Sequence, residues 1–299
     1  MEDSPIKVPK LSPEREACPY GDLYIYYLDG SVEDEAFFSD KNFLGNWNEG
    51  RTSFLFFSRP AQEAVTAFLK NRPGLNMIDQ FCLDYALWQG KDLVPFQIGA
   101  IRVMPFWYCE KSVGTAGDTP HTLLLDPGVV FGSRTHPTTI GCLKALNLLF
   151  ERVISHTILD LGTGTGILAL AAVKLGAQRA LAVDLNPLAA RTAQKNIRIN
   201  RMENKILAIQ GDAKDFIDCP ADLVIANIHY DAMKGLLCAK GLNQKRWVIL
   251  SGLMRSEARD VTDVLASKRF DIVESQNHEG IWYTYLLRNR AKSIELTAR

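Results

Sequence analysis

The chain has 299 residues and a formal net charge of zero, because 34 Lys and Arg balance 34 Asp and Glu. A broad nucleic-acid-binding surface needs a basic excess, so we expect no direct nucleic-acid partner. The six cysteines are scattered and include no CxxC pair, which favours reduced thiols and no metal site. The N-terminus lacks signal-peptide features, and no stretch has the length and apolarity of a membrane span. We therefore expect a cytoplasmic protein without a membrane partner.

The first third of the chain indicates a small α+β domain. Aromatic and β-branched runs predict strands, and a proline is expected near the start of a helix. These elements are expected at 23–28 and 53–57 (strands), 60–70 (helix) and around Gly99 (a hairpin). The predicted organisation of the whole chain is a lead-in at 1–19, this domain at 20–110, a linker at 111–120, a larger domain at 121–290 and a tail at 291–299.

In the larger domain, strand-like apolar runs alternate with helical segments. This alternation predicts an α/β domain, with a mostly parallel sheet covered by helices on both faces. The strands are expected near 157–161, 180–184, 206–210, 222–226, 247–251, 270–274 and 281–287, and the helices near 136–150, 166–175, 187–200, 231–239 and 255–266. Ligands of such sheets bind beyond the carboxyl ends of the strands, where the strand order reverses.

One glycine-rich segment lies at such a strand end. Gly162, Gly164 and Gly166 alternate with Leu161, Thr163 and Thr165 directly after an apolar run and before a helical one. Glycines let the backbone approach a ligand closely, and the following helix N-terminus offers free N–H groups. The segment therefore predicts a site for a nucleoside cofactor. Asp184 ends the next strand, where a carboxylate could accept hydrogen bonds from both ribose hydroxyls.

Three details favour S-adenosylmethionine (AdoMet) over a nicotinamide dinucleotide, which stays the alternative. The spacing is GxGxG rather than the GxGxxG pattern of pyrophosphate binding. Asp160 immediately precedes the turn, where a carboxylate would repel a pyrophosphate but attract a sulfonium or ammonium group. Asn227 ends the fourth strand, where methyltransferases commonly place the loop that faces the methyl acceptor.

Each of these residues also has a purely structural interpretation. The glycines could form a turn without a ligand. Asp160 or Asp184 could cap a helix, and Asn227 could form an ordinary Asx-turn.

Residues 126–139 read Asp-Pro-Gly-Val-Val-Phe-Gly-Ser-Arg-Thr-His-Pro-Thr-Thr. This segment strongly resembles the DPGxAFGTGTHPTT segment of the PrmA family, whose members methylate protein L11 of the large ribosomal subunit. Further motifs match the family in order, at 160–166, 184–187, 226–228 and 251–253. The resemblance covers roughly 90–290, and it is weaker over 20–110.

The resemblance implies a Rossmann-like class I methyltransferase fold with a seven-stranded sheet. It also implies AdoMet-dependent methylation of lysine ε-amines and of an N-terminal α-amine in a protein substrate, expected to be a large-subunit ribosomal protein. The cofactor contacts that it carries over are Thr139, Gly162, Asp184 and Asn227. The small domain would recognise the substrate, and we expect the enzyme to be a monomer.

The chain departs from the family pattern at two places. Ser133-Arg134-Thr135 stands where the family has TGT, and residues 227–233 (Asn-Ile-His-Tyr-Asp-Ala-Met) stand where it has NILAxPL. The second change leaves two alternatives open: a lysine methyltransferase of a non-ribosomal protein, or another N-methyltransferase on this fold. A non-catalytic AdoMet-binding protein is a further alternative, which the intact glycine turn, acid and Asn227 argue against. For catalysis, we expect Asn227 to orient the neutral amine and His229 to accept its proton, with Asp231 or bulk water as alternatives. His136 is expected to be structural.

Overall fold

A computed structural model describes residues 18–32, 40–89, 94–108, 121–130, 136–153 and 155–292. The predicted linker, most of the predicted lead-in and tail, and the departure at Ser133-Arg134-Thr135 lie outside the described residues. No helix in the described part of the chain is long and apolar enough to cross a membrane.

The described residues form three sheets and eight α-helices. The strands are β1 Asp22–Asp29, β2 Phe43–Glu49, β3 Thr52–Phe57, β4 Asn76–Asp84, β5 Phe96–Ile98, β6 Ile101–Pro105, β7 His121–Leu125, β8 Thr157–Leu161, β9 Arg179–Asp184, β10 Ile206–Gln210, β11 Leu223–Asn227, β12 Trp247–Met254, β13 Phe270–His278 and β14 Trp282–Asn289. The helices are α1 Gln62–Lys70, α2 Tyr85–Trp88, α3 Pro137–Phe150, α4 Ile167–Lys174, α5 Pro187–Ile199, α6 Ala213–Phe216, α7 Tyr230–Cys238 and α8 Arg255–Ala266.

The largest sheet has seven strands in the order β10-β9-β8-β11-β12-β14-β13. Its strands are parallel except β14, which is antiparallel to both of its neighbours. The chain builds β9 and β10 on one side of β8 and then crosses to β11 on the other, so the strand order reverses between β8 and β11. This sheet confirms the predicted Rossmann-like, mostly parallel architecture and places its ligand-binding edge at the carboxyl ends of these two strands.

The sheet is buried on both faces. Ile158 of β8 and Ile225 of β11 pack into the core formed with α3, α4 and α5. Their neighbours Leu159 and Val224 point to the opposite face and pack with α7 and α8. Burial on both faces explains why these strands are continuous apolar runs rather than alternating ones.

A smaller antiparallel sheet in the order β2-β3-β1-β4 precedes it. One face packs against α1 through Phe57, Val65 and Phe68. The opposite face, including Ile25 and Phe56, contacts residues of the larger domain such as those at the start of α5. Sequence reasoning identified strands β1 and β3 and the helix α1 that packs on this sheet, but it did not identify β2 and β4.

A third sheet contains strands from both sides of the predicted linker. The predicted hairpin at Gly99 is confirmed as β5 and β6, and β7 pairs in parallel with β6 from beyond residue 120. Ile101, Val103 and Leu125 of this sheet belong to the same core as α3 and α4. The domain boundaries remain a prediction, and these contacts favour a boundary before β5 rather than after residue 110.

Candidate active site

The glycine turn connects β8 to α4 at the point where the strand order reverses. Gly162, Gly164 and Gly166 have φ angles of +73°, +56° and +82°, a region in which side chains with a Cβ are strained. The amides of Gly162 and Thr163 donate to the carbonyl of Val183 at 2.8 and 3.0 Å. The turn is therefore fixed to the end of β9, and its conformation requires glycine.

The first and second glycines face different surroundings. A Cβ on Gly162 would collide with the Cγ2 atom of Ile228, whereas a Cβ on Gly164 would have no atom within 4 Å. The turn is thus closed by protein on the side of β11 and open at its centre. The open centre is where a ligand could approach the backbone.

Asp160 is fully buried beneath this turn. Its Oδ2 accepts from the Thr163 hydroxyl at 2.6 Å and from the Ala169 amide at 3.2 Å. Its Oδ1 has no hydrogen-bond partner among the described residues. Burial raises the pKa of Asp160 to about 6, and the hydrogen bonds from Thr163 and Ala169 oppose the increase. The capping interpretation therefore accounts for one oxygen only, and the other could serve a cationic ligand.

Asp184 lies at the end of β9 and binds the turn directly. Its Oδ2 accepts from the Gly164 amide at 2.8 Å and its Oδ1 from the Asn186 amide at 2.9 Å. The cap of α5 is Asn186, which accepts from Leu188, so the interpretation of Asp184 as the cap of this helix is wrong. Burial raises the pKa of Asp184, against the lowering effect of these two bonds. Each carboxylate oxygen keeps acceptor capacity for a ribose hydroxyl.

Asn227 ends β11, across the reversal point from β9. It is half-buried, and its side chain makes no hydrogen bond to a residue in the described ranges, so the Asx-turn interpretation has no support.

His229 is exposed and precedes α7 without a capping bond from its side chain. Asp231, in contrast, forms an ion pair with Lys234 at 2.7 Å, and the hydrogen bond from Lys234 lowers the pKa of the Asp231 carboxyl. The Asp231 carboxylate is therefore engaged by Lys234.

The first turn of α3 borders the same edge. His136 occupies the N-cap position and Pro137 begins the helix, and the His136 Nδ1 lies 2.7 Å from the Thr138 hydroxyl. This confirms the structural role expected of His136. The hydroxyl of Ser251 lies 3.3 Å from the Thr138 carbonyl, and Ser251 pairs with Asn227 in the sheet. Thr139 is therefore in the helical turn beside Asn227, and it is buried.

Sequence reasoning missed two residues of this edge. Ile228 closes one side of the turn by packing against Gly162, and its carbonyl lies so close to Gly252 that a Cβ there would be 2.6 Å away. Leu185 directly follows Asp184 and is 68% exposed, although it is a large apolar residue. The sequence offered no signal for Leu185, because single exposed apolar residues are common on protein surfaces and only the structure shows this exposure beside Asp184.

The site thus combines three features. The glycine turn is open at its centre. The Asp184 carboxylate at the end of β9 can accept further hydrogen bonds, and the buried Oδ1 of Asp160 has no partner among the described residues. A pyrophosphate would be repelled by Asp160, whereas a cationic nucleoside would be attracted. Together with the seven-stranded sheet, this arrangement defines the chain as a Rossmann-like class I methyltransferase.

Comparison with known proteins identifies the family. Residues 77–290 match the family described as ribosomal protein L11 methyltransferase (PrmA). A relative of that name from Anoxybacillus flavithermus is 34% identical over 308 aligned positions, which cover 94% of this chain and 88% of the relative. Another from Clostridium botulinum is 40% identical over 166 residues, 53% of this chain and 50% of that relative, so the aligned chain spans half of its length.

A solved structure agrees with the sequence comparisons. The crystal structure of ribosomal protein L11 methylase from Lactobacillus delbrueckii subsp. bulgaricus has a TM-score of 0.53 and 27% identity, covering 64% of this chain and 95% of that one. The chain belongs to the PrmA family of methyltransferases.

Proposed function

We propose that this protein transfers methyl groups from AdoMet to amines of ribosomal protein L11, namely lysine ε-amines, the N-terminal α-amine or both. The relatives named for this substrate support the proposal. The observation that carries it is the buried, unpartnered Oδ1 of Asp160 beneath an open glycine turn, because this arrangement suits a cationic cofactor.

The residues present fit AdoMet. Asp184 would bind the ribose hydroxyls, and the exposed Leu185 would pack on the adenine ring. Asp160 would attract the cationic methionine end, and Thr139 would bond its carboxylate or amine. Gly162, Gly164 and Gly166 would keep side chains away from it. When bound, the cofactor supplies a methyl group activated on sulfur.

The protein's own contribution to transfer would be position and proton removal. A lysine amine is mostly protonated at neutral pH and must lose a proton to become a nucleophile. The Asn227 side chain, which makes no bond to a described residue, would hold the neutral amine. His229, two residues after Asn227 in the loop that follows β11, would accept the proton as a general base. Its exposure leaves bulk water as a competing acceptor.

One observation favours a second candidate for the methyl acceptor, a non-ribosomal protein. The loop after β11 reads Ile228-His229-Tyr230-Asp231, without the proline of the family pattern, and the Tyr230 hydroxyl is bound to Asp260 at 3.0 Å. An altered acceptor loop would suit lysines of a non-ribosomal protein on the same fold with the same cofactor.

The test is transfer of labelled methyl groups from AdoMet to purified, unmethylated ribosomal protein L11 and, in parallel, to a ribosome-depleted extract. Mass spectrometry then locates the methyl groups. We expect methylated amines on the ribosomal protein. Labelling of a different protein, with ribosomal protein L11 unmodified, would show that the substrate is a non-ribosomal protein instead.

Two variants assign the roles within the site. Asn227→Ala should lower kcat by about 100-fold, because positioning is lost. His229→Ala should lower kcat by about 10-fold or more at pH 7 and progressively less as the pH rises and the free-amine fraction increases. A His229→Ala rate equal to wild type at every pH would assign proton removal to water.

A further inference from the structure

Strand β4 forms one edge of the small sheet and is exposed along its whole length. It pairs with β1 on one side only, and no other described strand covers its outer side. All nine residues from Asn76 to Asp84 are exposed. Unpaired edges are hazards that proteins normally protect with lysine, proline or a covering element.

This edge is also apolar. Met77, Ile78, Phe81 and Leu83 are all exposed, with Ile78 at 53% and Phe81 at 42%. The strand contains no Lys, Arg or Pro. Large apolar side chains gathered on an exposed, unprotected strand are typical of an interaction surface.

The main-chain groups that β4 offers can be assigned from its pairing. The Tyr85 amide, directly after the strand, donates to the Gly21 carbonyl at 3.1 Å. Hydrogen-bonded and non-hydrogen-bonded pairs alternate along an antiparallel ladder, so Leu83 and Phe81 bond inward to β1. The amide and carbonyl of Cys82 and Gln80 therefore point outward.

The two strands at this edge carry acidic side chains. The two strands β1 and β4 carry four aspartates and no Lys or Arg, and each aspartate is exposed: Asp22, Asp29, Asp79 and Asp84. None of them forms an ion pair with a residue in the described part of the chain. Because the whole chain is neutral, this is a local excess of negative charge that would attract a basic partner.

We infer that β4 is the docking strand for the protein substrate, and that an extended, lysine-bearing segment of that protein adds to the small sheet as a fifth strand. This inference rests on the proposed function, since it takes the methyl acceptor as the partner. Main-chain bonds would provide affinity, and alternate side chains would contact the apolar residues of β4. A second copy of this chain is the poorer occupant, because two acidic edges would be brought together.

The position of β4 connects docking with catalysis. The strand leads directly into α2, where the Tyr85 hydroxyl donates to the Gly128 carbonyl at 2.7 Å and the Gln89 side chain donates to the same carbonyl at 2.9 Å. Gly128 belongs to the segment that precedes α3, whose first turn borders the active site. A strand bound along β4 would thus be attached next to the catalytic domain.

The first test needs no variant. Hydrogen exchange of the full-length protein is measured with and without purified, unmethylated ribosomal protein L11, following the peptide that covers 76–84. We expect the outward amides of Gln80 and Cys82 to become protected. If wild type methylates this protein while the peptide stays unprotected, the docking inference is overturned and the proposed function stands. If wild type neither binds nor methylates it, the proposed function itself fails.

Variants test the two kinds of contact separately. Cys82→Pro removes one outward amide at an edge position that proline can occupy, and Asp79→Lys reverses a charge without altering the backbone. Each should raise KM for the ribosomal protein by about 10-fold, with the effect of Asp79→Lys shrinking at high salt. Glu203→Lys makes the same charge change near the amino ends of the large-sheet strands and should retain the wild-type KM.

Sedimentation velocity tests whether a second copy of this chain binds β4. We expect a monomer, and Asp79→Lys should not change its mass. A wild-type dimer that Cys82→Pro dissociates would assign the edge to a second copy of the chain and would overturn the inference.

Discussion

Asp160 shows how a single residue combines a structural and a ligand-directed role. One carboxylate oxygen holds Thr163 and the first turn of α4, and the other is buried without a partner among the described residues. Burial raises the pKa of this carboxyl to about 6. A folded-state pKa above the unfolded value means that the native state loses stability as the pH rises from about 4 to about 6, and that the loss persists above this range.

Asp160→Asn should separate these roles. The amide oxygen can still accept from Thr163 and Ala169, while the buried charge is removed. We expect the variant to be more stable than wild type at pH 8 by about 1–3 kcal/mol, with the difference shrinking towards pH 5, as measured by urea unfolding.

AdoMet binding should change in the opposite direction. Asp160→Asn should weaken binding by about 10-fold at pH 8, measured by titration calorimetry. Wild-type affinity should fall towards that of the variant as the pH drops below 6, because Asp160 becomes neutral. An affinity independent of both the substitution and the pH would contradict an electrostatic role for this carboxylate.

At the scale of elements, the site depends on contact between two strand-to-helix connections. The glycine turn after β8 and the loop after β11 meet where Gly162 packs against Ile228. The register aligns Ala226 with Leu161, so both connections leave the sheet at the same level. Only this close approach brings Asn227 to the glycine turn.

Alanine substitutions distinguish packing from ligand access. Gly162→Ala introduces a Cβ that collides with Ile228 at a positive φ, and should destabilise the fold by about 3 kcal/mol. Gly164→Ala has open space around its Cβ and should cost about 1 kcal/mol in stability, yet weaken AdoMet binding markedly. Thermal unfolding and calorimetry measure the two effects.

Gly235→Ala is the matched control. This glycine lies within α7, its added Cβ meets no atom within 4 Å, and alanine favours helix by about 1 kcal/mol. The control should be slightly stabilised and should bind AdoMet like wild type. Equal AdoMet affinity in Gly164→Ala and the control would contradict a cofactor position over the turn.

At the scale of the whole molecule, a polar junction joins the small sheet to the catalytic domain. The Tyr20 hydroxyl donates to Asp126 at 2.8 Å, and Asp126 also forms an ion pair with Lys195 of α5. Burial, together with the neighbouring Asp126, raises the pKa of Tyr20, so the phenol stays a donor. The Gly128 carbonyl is the second point of attachment.

This second attachment predicts a non-additive loss of stability. Tyr85→Phe or Gln89→Leu alone leaves the Gly128 carbonyl with one donor and should cost about 1 kcal/mol. The double variant leaves this carbonyl without either donor and should cost more than the sum of the two single changes. Urea unfolding of all four proteins measures the coupling, and strict additivity would show that solvent replaces the lost donors.

Much of the fold could be predicted because local patterns encode it. Alternating apolar runs and helical segments located every strand of the seven-stranded sheet, and Pro137 and Pro187 marked helix starts. β4 was not predicted because its apolar residues do not alternate regularly and its strand identity depends on pairing with β1. β7 was likewise not predicted, because its pairing with β6 joins segments that are separated by residues 106–120 in the sequence and local patterns do not encode such pairing.

The sequence by itself determined the sheet architecture, the glycine turn and the order of Asp160, Asp184 and Asn227, because backbone propensity and side-chain periodicity are local properties. Only the tertiary structure decided which carboxylate oxygen lacks a partner, that Asn186 rather than Asp184 caps α5, and that Ile228 closes the turn. It also decided that β4 is an exposed edge. These features depend on burial and on contacts between segments distant in the chain, and such contacts exist only once the strands have paired.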